Sequence, residues 1–206
     1  MSESMVPTDA PLAGLVLAGG RSTRMQRDKA SLAFAGETQL ARAMRLVAAH
    51  TTRAYVSVRP EQRAEAERAR WPQVEDRLVD VGPAAGILAA QEMLPDHAWL
   101  VVAVDLPLLD DATLAALCAA RDPTAAATAY RASSDGLPEP LCAIWEPSSR
   151  GPLAAFVAGG RSCPRKFLLT HGARLVTLAA PGALANVNTP DDYAAAIAAA
   201  GPGVAR

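Results

Sequence analysis

Short apolar runs that alternate with helical patterns restrict the fold of this chain more than any other feature. The runs at 12–18, 54–58 and 98–105 are too brief for typical helices, and the last is rich in valine. Segments 31–49 and 84–94, between these runs, carry apolar residues at helical spacing. Strands that alternate with helices form parallel sheets covered by helices on both faces. We therefore predict an α/β fold, a three-layer α/β/α arrangement with a mostly parallel, Rossmann-like sheet.

The alternation of strand and helix patterns ends after Arg121. Two strand-like segments, TAAATAY and PLCAIW, are joined there by the turn-rich RASSDGLPE, which predicts a small antiparallel excursion at the sheet edge. Earlier in the chain, Pro60 is suited to the first turn of a helix, and the charged stretch 61–70 predicts that this helix continues with a solvated surface. Near the end, a further helix is predicted to open at Asn188 or Thr189.

Composition and charge exclude several classes of function. Lys and Arg total 20 against 21 Asp and Glu, and the net charge of -1 gives no general attraction to nucleic acid. The first residues lack the basic and apolar regions of a signal peptide, and no run approaches the ~20 apolar residues that span a bilayer. We expect a cytoplasmic protein without nucleic-acid or membrane partners. Its length favours one domain over residues 1–206, with 1–11 flexible.

The pentapeptide AGGRS occurs twice, at 18–22 and at 158–162. The first copy follows a predicted strand and so lies at its carboxyl end, where ligands bind in open α/β sheets. The second copy follows a predicted amphipathic helix, and glycine commonly ends helices in a left-handed conformation. The sequence therefore predicts a binding loop at the first copy and a helix C-cap at the second.

The first loop has the residues needed to hold phosphate groups. Gly19 and Gly20 allow close approach of the backbone, although the loop matches neither the P-loop nor the dinucleotide-binding pattern. Four cations follow, namely Arg21, Arg24, Arg27 and Lys29, and the only acid among them is Asp28. A triphosphate would supply the missing anions. Asp105, at the end of the strongest predicted strand, faces the same edge and is suited to hold a metal ion.

Five motifs, in this order, carry a family resemblance: LVLAGGRSTRMQRDKA, VGPAAGILAA, VVAVDLPLL, PLCAIW and NVNTPDD. From about Leu12 to Tyr193 the sequence resembles the molybdenum cofactor guanylyltransferases, the MobA proteins, of nucleotidyltransferase fold type A. The resemblance implies an α/β fold of the nucleoside-diphospho-sugar transferase type. It also implies transfer of GMP from GTP to the terminal phosphate of molybdenum-bound molybdopterin, with release of pyrophosphate and a requirement for Mg²⁺.

The resemblance also implies roles for individual residues. The implied nucleotide-binding residues are Leu17, Ala18, Gly19, Gly20, Lys29, Ser57, Asp76, Gly82 and Asp105. Lys29 would bind the phosphates, Asp76 would contact the guanosine part, and Asp105 would hold Mg²⁺. Phosphoryl transfer needs positioned reactants and neutralised oxygens, so Arg21, Lys29 and Asp105 form the predicted catalytic set. Taken alone, Asp76 is equally compatible with a solvated charge at a strand end.

Three positions depart from the family pattern. Gln26 stands where the family has glycine, Ala84 replaces a leucine, and Ser57 replaces an asparagine that binds nucleotide. Ser57 weakens one contact to the ribose or base. The sequence therefore indicates the type of reaction more firmly than the identity of the nucleotide base.

The resemblance places the pterin acceptor near Asn186 and Asn188, although Asn188 is also suited to cap a helix. The resemblance also implies transient contacts with partner proteins, namely molybdenum insertion proteins or target molybdoenzymes. Two alternatives stay open. One is a cytidylyl- or sugar-phosphate nucleotidyltransferase of the same superfamily, and the other is a non-catalytic molybdopterin carrier.

Overall fold

A computed structural model describes residues 10–19, 30, 36–78, 80–180 and 182–186, together with the backbone of 33–34. Over these residues, seven strands form one mixed sheet in the order β5-β4-β1-β6-β8-β7-β9. Its strands are β1 Leu12–Leu17, β4 Ala54–Val58, β5 Gln73–Glu75, β6 Ala98–Ala103, β7 Ala127–Arg131, β8 Pro138–Trp145 and β9 Arg174–Thr177. A separate hairpin pairs β2 Ala33–Phe34 with β3 Glu37–Thr38.

The first part of the sheet is parallel, as the alternation of strands and helices predicts. Strand β1 pairs in parallel with β4 on one side and β6 on the other, and β4 pairs in parallel with β5. All six residues of β6 are buried, as expected for a central strand covered on both faces. The predicted mostly parallel α/β fold is therefore confirmed.

The antiparallel excursion is also confirmed, but its antiparallel strand, β8, lies two strands in from the edge of the sheet. Strand β8 pairs antiparallel with both β6 and β7, and β9 then adds in parallel to the outer side of β7. The sequence pattern identifies β7 and β8. It does not reveal that β9 returns to β7, because that pairing joins Thr128 to Arg174 across a long chain separation.

Helices cover both faces of the sheet and bury separate cores. The helices are α1 Gln39–Ala49, α2 Pro83–Met93, α3 Asp111–Ala119, α4 Arg150–Ala158 and α5 Pro164–His171. One core joins α1 and α3 to strand residues such as Val16 and Val102. The other joins α2, α4 and α5 to the alternate strand residues, including Leu15 and Val101. This alternation along β1 and β6 produces the three predicted layers.

The predicted helix through 61–70 is wrong. The chain makes a short 3-10 turn at Pro60–Gln62 and continues in further turns rather than a solvated helix. Arg68, predicted to face solvent, is only 1 % exposed because its guanidinium donates to the carbonyl of Ala18. A long-range contact thus overrides the local charge pattern.

Two further points concern the helix ends. Asp110 caps α3 by accepting a hydrogen bond from the amide of Thr113 at 2.8 Å. The helix predicted to open at Asn188 or Thr189 lies outside the described residues. In the part of the chain that the structure describes, no helix has the length and apolar content to cross a membrane.

Candidate functional site

The carboxyl ends of the parallel strands meet at one edge of the sheet. Leu17 at the end of β1 is in register with Ser57 of β4 and with Ala103 of β6. The strand order reverses its direction at β1, since β4 lies on one side of it and β6 on the other. Such a reversal opens a crevice in which α/β proteins bind ligands. A cavity of about 580 Å³ lies at this position.

Seven of the residues predicted to bind a nucleotide line this one cavity. They are Leu17, Ala18, Gly19, Ser57, Asp76, Gly82 and Asp105. Each lies near or just after the carboxyl end of a parallel strand, or caps the start of α2, so one topological rule brings residues from distant segments together. Gly20, Arg21, Lys29 and Asn188 lie outside the described residues. Asn186 is exposed and does not line the described part of the cavity.

Sequence reasoning missed several charged residues on the cavity wall. Arg59, Glu61, Arg77 and Asp80 line it, together with Leu78, whose side chain is 45 % exposed. Arg59 directly follows β4, just as Ala18 and Gly19 follow β1, so the placement of ligands at the carboxyl ends of parallel strands predicts both positions. The described wall therefore carries both signs of charge as well as apolar surface.

Asp76 lies in a partly buried position beside Arg59 and Glu61. Burial raises the pKa of its carboxyl group, while the amide of Leu78 and the charge of Arg59 lower it and Glu61 raises it. The Leu78 amide donates to Asp76 Oδ1 at 3.1 Å. A carboxylate so placed is an acceptor for N–H or O–H donors of a ligand.

Arg59 is held in place by its neighbours. Its backbone amide and its Nε both donate to Gln62 Oε1, at 3.2 and 3.3 Å, and its Nη1 lies 3.0 Å from Glu61 Oε1. A guanidinium oriented in this way retains donors suited to carboxylate or phosphate oxygens.

Helix α2 packs closely against the strand ends because Gly86 has no side chain. A Cβ at Gly86 would lie 2.5 Å from Ser57 Oγ and 2.8 Å from Leu17 Cδ2. Ser57 is itself only 3 % exposed, with its hydroxyl directed toward α2. The serine that replaces the family asparagine therefore lies in the floor of the cavity.

Asp105 follows β6, is partly buried and lines the cavity. Within the described ranges, no group of three His, Cys, Asp or Glu side chains is placed to hold a metal ion. Magnesium at phosphate-transfer sites commonly uses one or two carboxylates, with substrate phosphates and water completing its shell. A single carboxylate at the strand end fits that donor set.

The second AGGRS copy is a helix C-cap, as predicted. Gly160 is left-handed, with φ 77°, and its amide donates to the carbonyl of Val157 at 2.9 Å. The amide of Arg161 donates to Phe156 at 3.2 Å, which completes a Schellman motif. Arg165, a further cation of this region, pairs with Asp135 and Glu139 at 3.0 Å each.

Comparisons with known proteins agree with this architecture. Residues 14–175 match the family model described as the MobA-like NTP transferase domain. The molybdenum cofactor guanylyltransferase of Rhizobium johnstonii is 34% identical over 195 residues, which cover 88% of this chain and 89% of that protein. The molybdenum cofactor biosynthesis bifunctional protein of Synechocystis is 32% identical over 186 residues. That match covers 90% of this chain but only 54% of the relative, so the chain spans about half of the bifunctional protein.

A solved structure shares the fold. Molybdopterin-guanine dinucleotide biosynthesis protein A from Archaeoglobus fulgidus has a TM-score of 0.73 and 21% identity, covering 91% of this chain and 98% of its own. The family model covers most of the sheet, including β1, β4 and β6, whose carboxyl ends form the cavity. This chain therefore belongs to the MobA-like NTP transferase family.

Proposed function

We propose that this protein transfers the GMP unit of GTP to the terminal phosphate of molybdenum-bound molybdopterin and releases pyrophosphate. The observation that carries the proposal is the cavity at the strand ends, where seven residues expected to contact the nucleotide come together. Family membership supports nucleotidyl transfer, and the name of the Rhizobium relative supports the choice of guanine and of the acceptor.

In the proposed reaction, the nucleotide lies along the carboxyl edge of the sheet. The backbone at Ala18 and Gly19 approaches the phosphates, and Asp76 accepts hydrogen bonds from the guanosine part. Asp105 holds Mg²⁺, which when bound neutralises phosphate oxygens. Arg21 and Lys29, which follow β1 in the sequence, offset the charge that develops on the departing pyrophosphate.

No protein nucleophile takes part in the proposed reaction. A phosphate oxygen of the acceptor forms a bond to the α-phosphorus of GTP, and the bond from that phosphorus to the bridging oxygen of pyrophosphate breaks. The chain contributes positioning and electrostatic stabilisation, which are the main demands of phosphoryl-transfer chemistry.

A turnover screen tests the function. The protein is incubated with each of the four nucleoside triphosphates and Mg²⁺, with or without molybdenum-molybdopterin, and pyrophosphate release is measured. We expect release that requires both GTP and the acceptor. A preference for CTP would favour the cytidylyl alternative, and pterin binding without pyrophosphate release would favour a carrier.

A pair of variants at the two ends of β6 sharpens this test. Asp105→Asn removes the charge of the carboxylate beside the cavity, and we expect turnover to fall by at least ~100-fold because one metal ligand is weakened. Asp96→Asn changes an exposed carboxylate that precedes β6 at the opposite edge, and should leave turnover unchanged. Equal activity in the two variants would contradict the role of Asp105.

A further inference from the structure

Two arginines contact the two ends of β1, and of these Arg68 is buried while Arg121 is partly buried. At the amino end, Arg121 donates to the carbonyl of Ala10 at 2.9 Å and pairs with Glu146 at 2.7 and 2.9 Å. At the carboxyl end, Arg68 donates through Nε and Nη2 to the carbonyl of Ala18, at 3.2 and 2.6 Å. The first arginine lies at the edge of the sheet opposite the cavity, and the second contacts Ala18, which lines the cavity.

Arg68 is buried to an extent that needs an explanation. Its side chain is 1 % exposed, and its Nη1 pairs with the carboxylate of Glu65, which is 45 % exposed. Burying a guanidinium is costly unless hydrogen bonds and a counter-charge compensate. Two of its donors converge on a single backbone oxygen, 50 residues away in sequence, at the residue that opens the glycine loop.

The planarity of the peptide group carries this contact to the cavity. In a trans peptide, the carbonyl of Ala18 and the amide N–H of Gly19 point in opposite directions. Holding the carbonyl toward Arg68 therefore fixes the direction of the Gly19 N–H. Gly19 lines the cavity, and glycine leaves its amide accessible to a ligand.

We propose that Arg68 is a positioning residue, which orients the Ala18–Gly19 peptide so that the Gly19 amide is preset for a phosphate oxygen of the bound nucleotide. This inference rests on the proposed function. Arg68 acts through its hydrogen bonds to the Ala18 carbonyl, on the buried side of the Ala18–Gly19 peptide. This role does not require Arg68 to contact the nucleotide. The fork of the guanidinium is essential, because a lysine ammonium carries the charge but cannot direct two fixed donors at one oxygen.

The experiment compares Arg68→Lys with Arg121→Lys, a matched control at the other end of β1. Each variant keeps a positive charge and loses guanidinium donors to a backbone carbonyl, so both should lower the melting temperature. Calorimetry then measures the dissociation constants for GTP and for guanosine, which lacks phosphates. We expect Arg68→Lys to weaken GTP binding about tenfold while guanosine binding changes less than about twofold. Arg121→Lys should leave both constants unchanged.

Glu65→Gln provides a milder second variant, because Glu65 is half-exposed and its loss leaves the guanidinium in place. Glu65→Gln should also weaken GTP binding, by a smaller factor than Arg68→Lys. The inference is overturned if GTP affinity survives in both variants, if Arg68→Lys weakens GTP and guanosine equally, or if Arg121→Lys has the same effect. Failure of the proposed function appears instead in the wild-type protein, as absent transfer from GTP. Failure of this inference appears only in the dissociation constants of the variants relative to those of the wild-type protein.

Discussion

At the scale of single residues, Asp76 is a carboxyl group placed where its charge is unfavourable. Burial is the largest effect on its pKa and raises it. A carboxyl group whose folded pKa is raised costs stability when ionised, and this cost disappears as the pH falls through the folded pKa. Such a position makes sense if the carboxylate serves a ligand rather than the fold.

Replacing Asp76 with asparagine should therefore separate binding from stability. Asp76→Asn keeps an acceptor for the Leu78 amide but removes the charge, so we expect GTP affinity to fall about tenfold. The melting temperature at pH 7.5 should equal or slightly exceed that of the wild type. The difference should shrink as the pH falls through the raised folded pKa and vanish below the ordinary carboxyl pKa of the unfolded chain. Calorimetry and thermal unfolding test this. A melting temperature lowered by several degrees would contradict it.

The sequence supports Asp105 as a site residue because it follows a recognisable strand, whereas Asp76 is indicated only by the family resemblance. Arg68 could not be found in the same way. Its stretch contains several arginines and glutamates with no apolar periodicity. The inward direction of Arg68 depends on contacts such as the one with Ala18, which is far away in sequence. Arg59 lies between these two cases. Its position after β4 can be predicted from the sequence, whereas its hydrogen bonds to Gln62 cannot.

At the scale of elements, the packing of α2 on the strand ends depends on Gly86. Gly86→Ala places a methyl group 2.5 Å from Ser57 Oγ and 2.8 Å from Leu17 Cδ2, so we expect a loss of about 1–3 kcal/mol in the free energy of unfolding. Both contacts lie in the cavity floor, so GTP affinity should fall as well. Chemical denaturation measures the stability change.

Gly151→Ala is the control for this substitution. Gly151 lies in α4, and a Cβ there meets no atom within 4 Å. Since alanine favours helices over glycine, this variant should be as stable as the wild type or up to ~1 kcal/mol more stable. If Gly86→Ala proved as stable as Gly151→Ala, the close packing of α2 would be refuted.

Hydrophobic periodicity predicts the elements that are buried on both sides. It does not predict the secondary structure of segments whose path depends on polar contacts. Strands β1, β4 and β6 and helix α2 lie close to their predicted positions. The turns after Pro60 were mistaken for a helix, because a charged stretch does not reveal that Gln62 and Arg68 are buried. The two-residue strands of the β2–β3 hairpin are too short to give an alternating pattern.

At the scale of the whole molecule, nucleotide and metal should stabilise the fold together, because the cavity joins the ends of the four parallel strands β1, β4, β5 and β6 to Leu141 of β8. GTP at about 100 times its dissociation constant should add about 2.7 kcal/mol to the free energy of unfolding. Thermal unfolding with GTP and Mg²⁺ should show the gain, and EDTA or Asp105→Asn should greatly reduce it. An equal gain in EDTA would argue against a metal held by Asp105.

The central claim is that this cavity transfers a nucleotidyl group to a pterin phosphate, and GTP labelled at its α-phosphorus tests it most directly. After incubation with molybdenum-molybdopterin and Mg²⁺, we predict that the label enters a pterin dinucleotide in an amount equal to the pyrophosphate released. Label that stays in GTP, or that appears only as free GMP whether or not the acceptor is present, would contradict the claim.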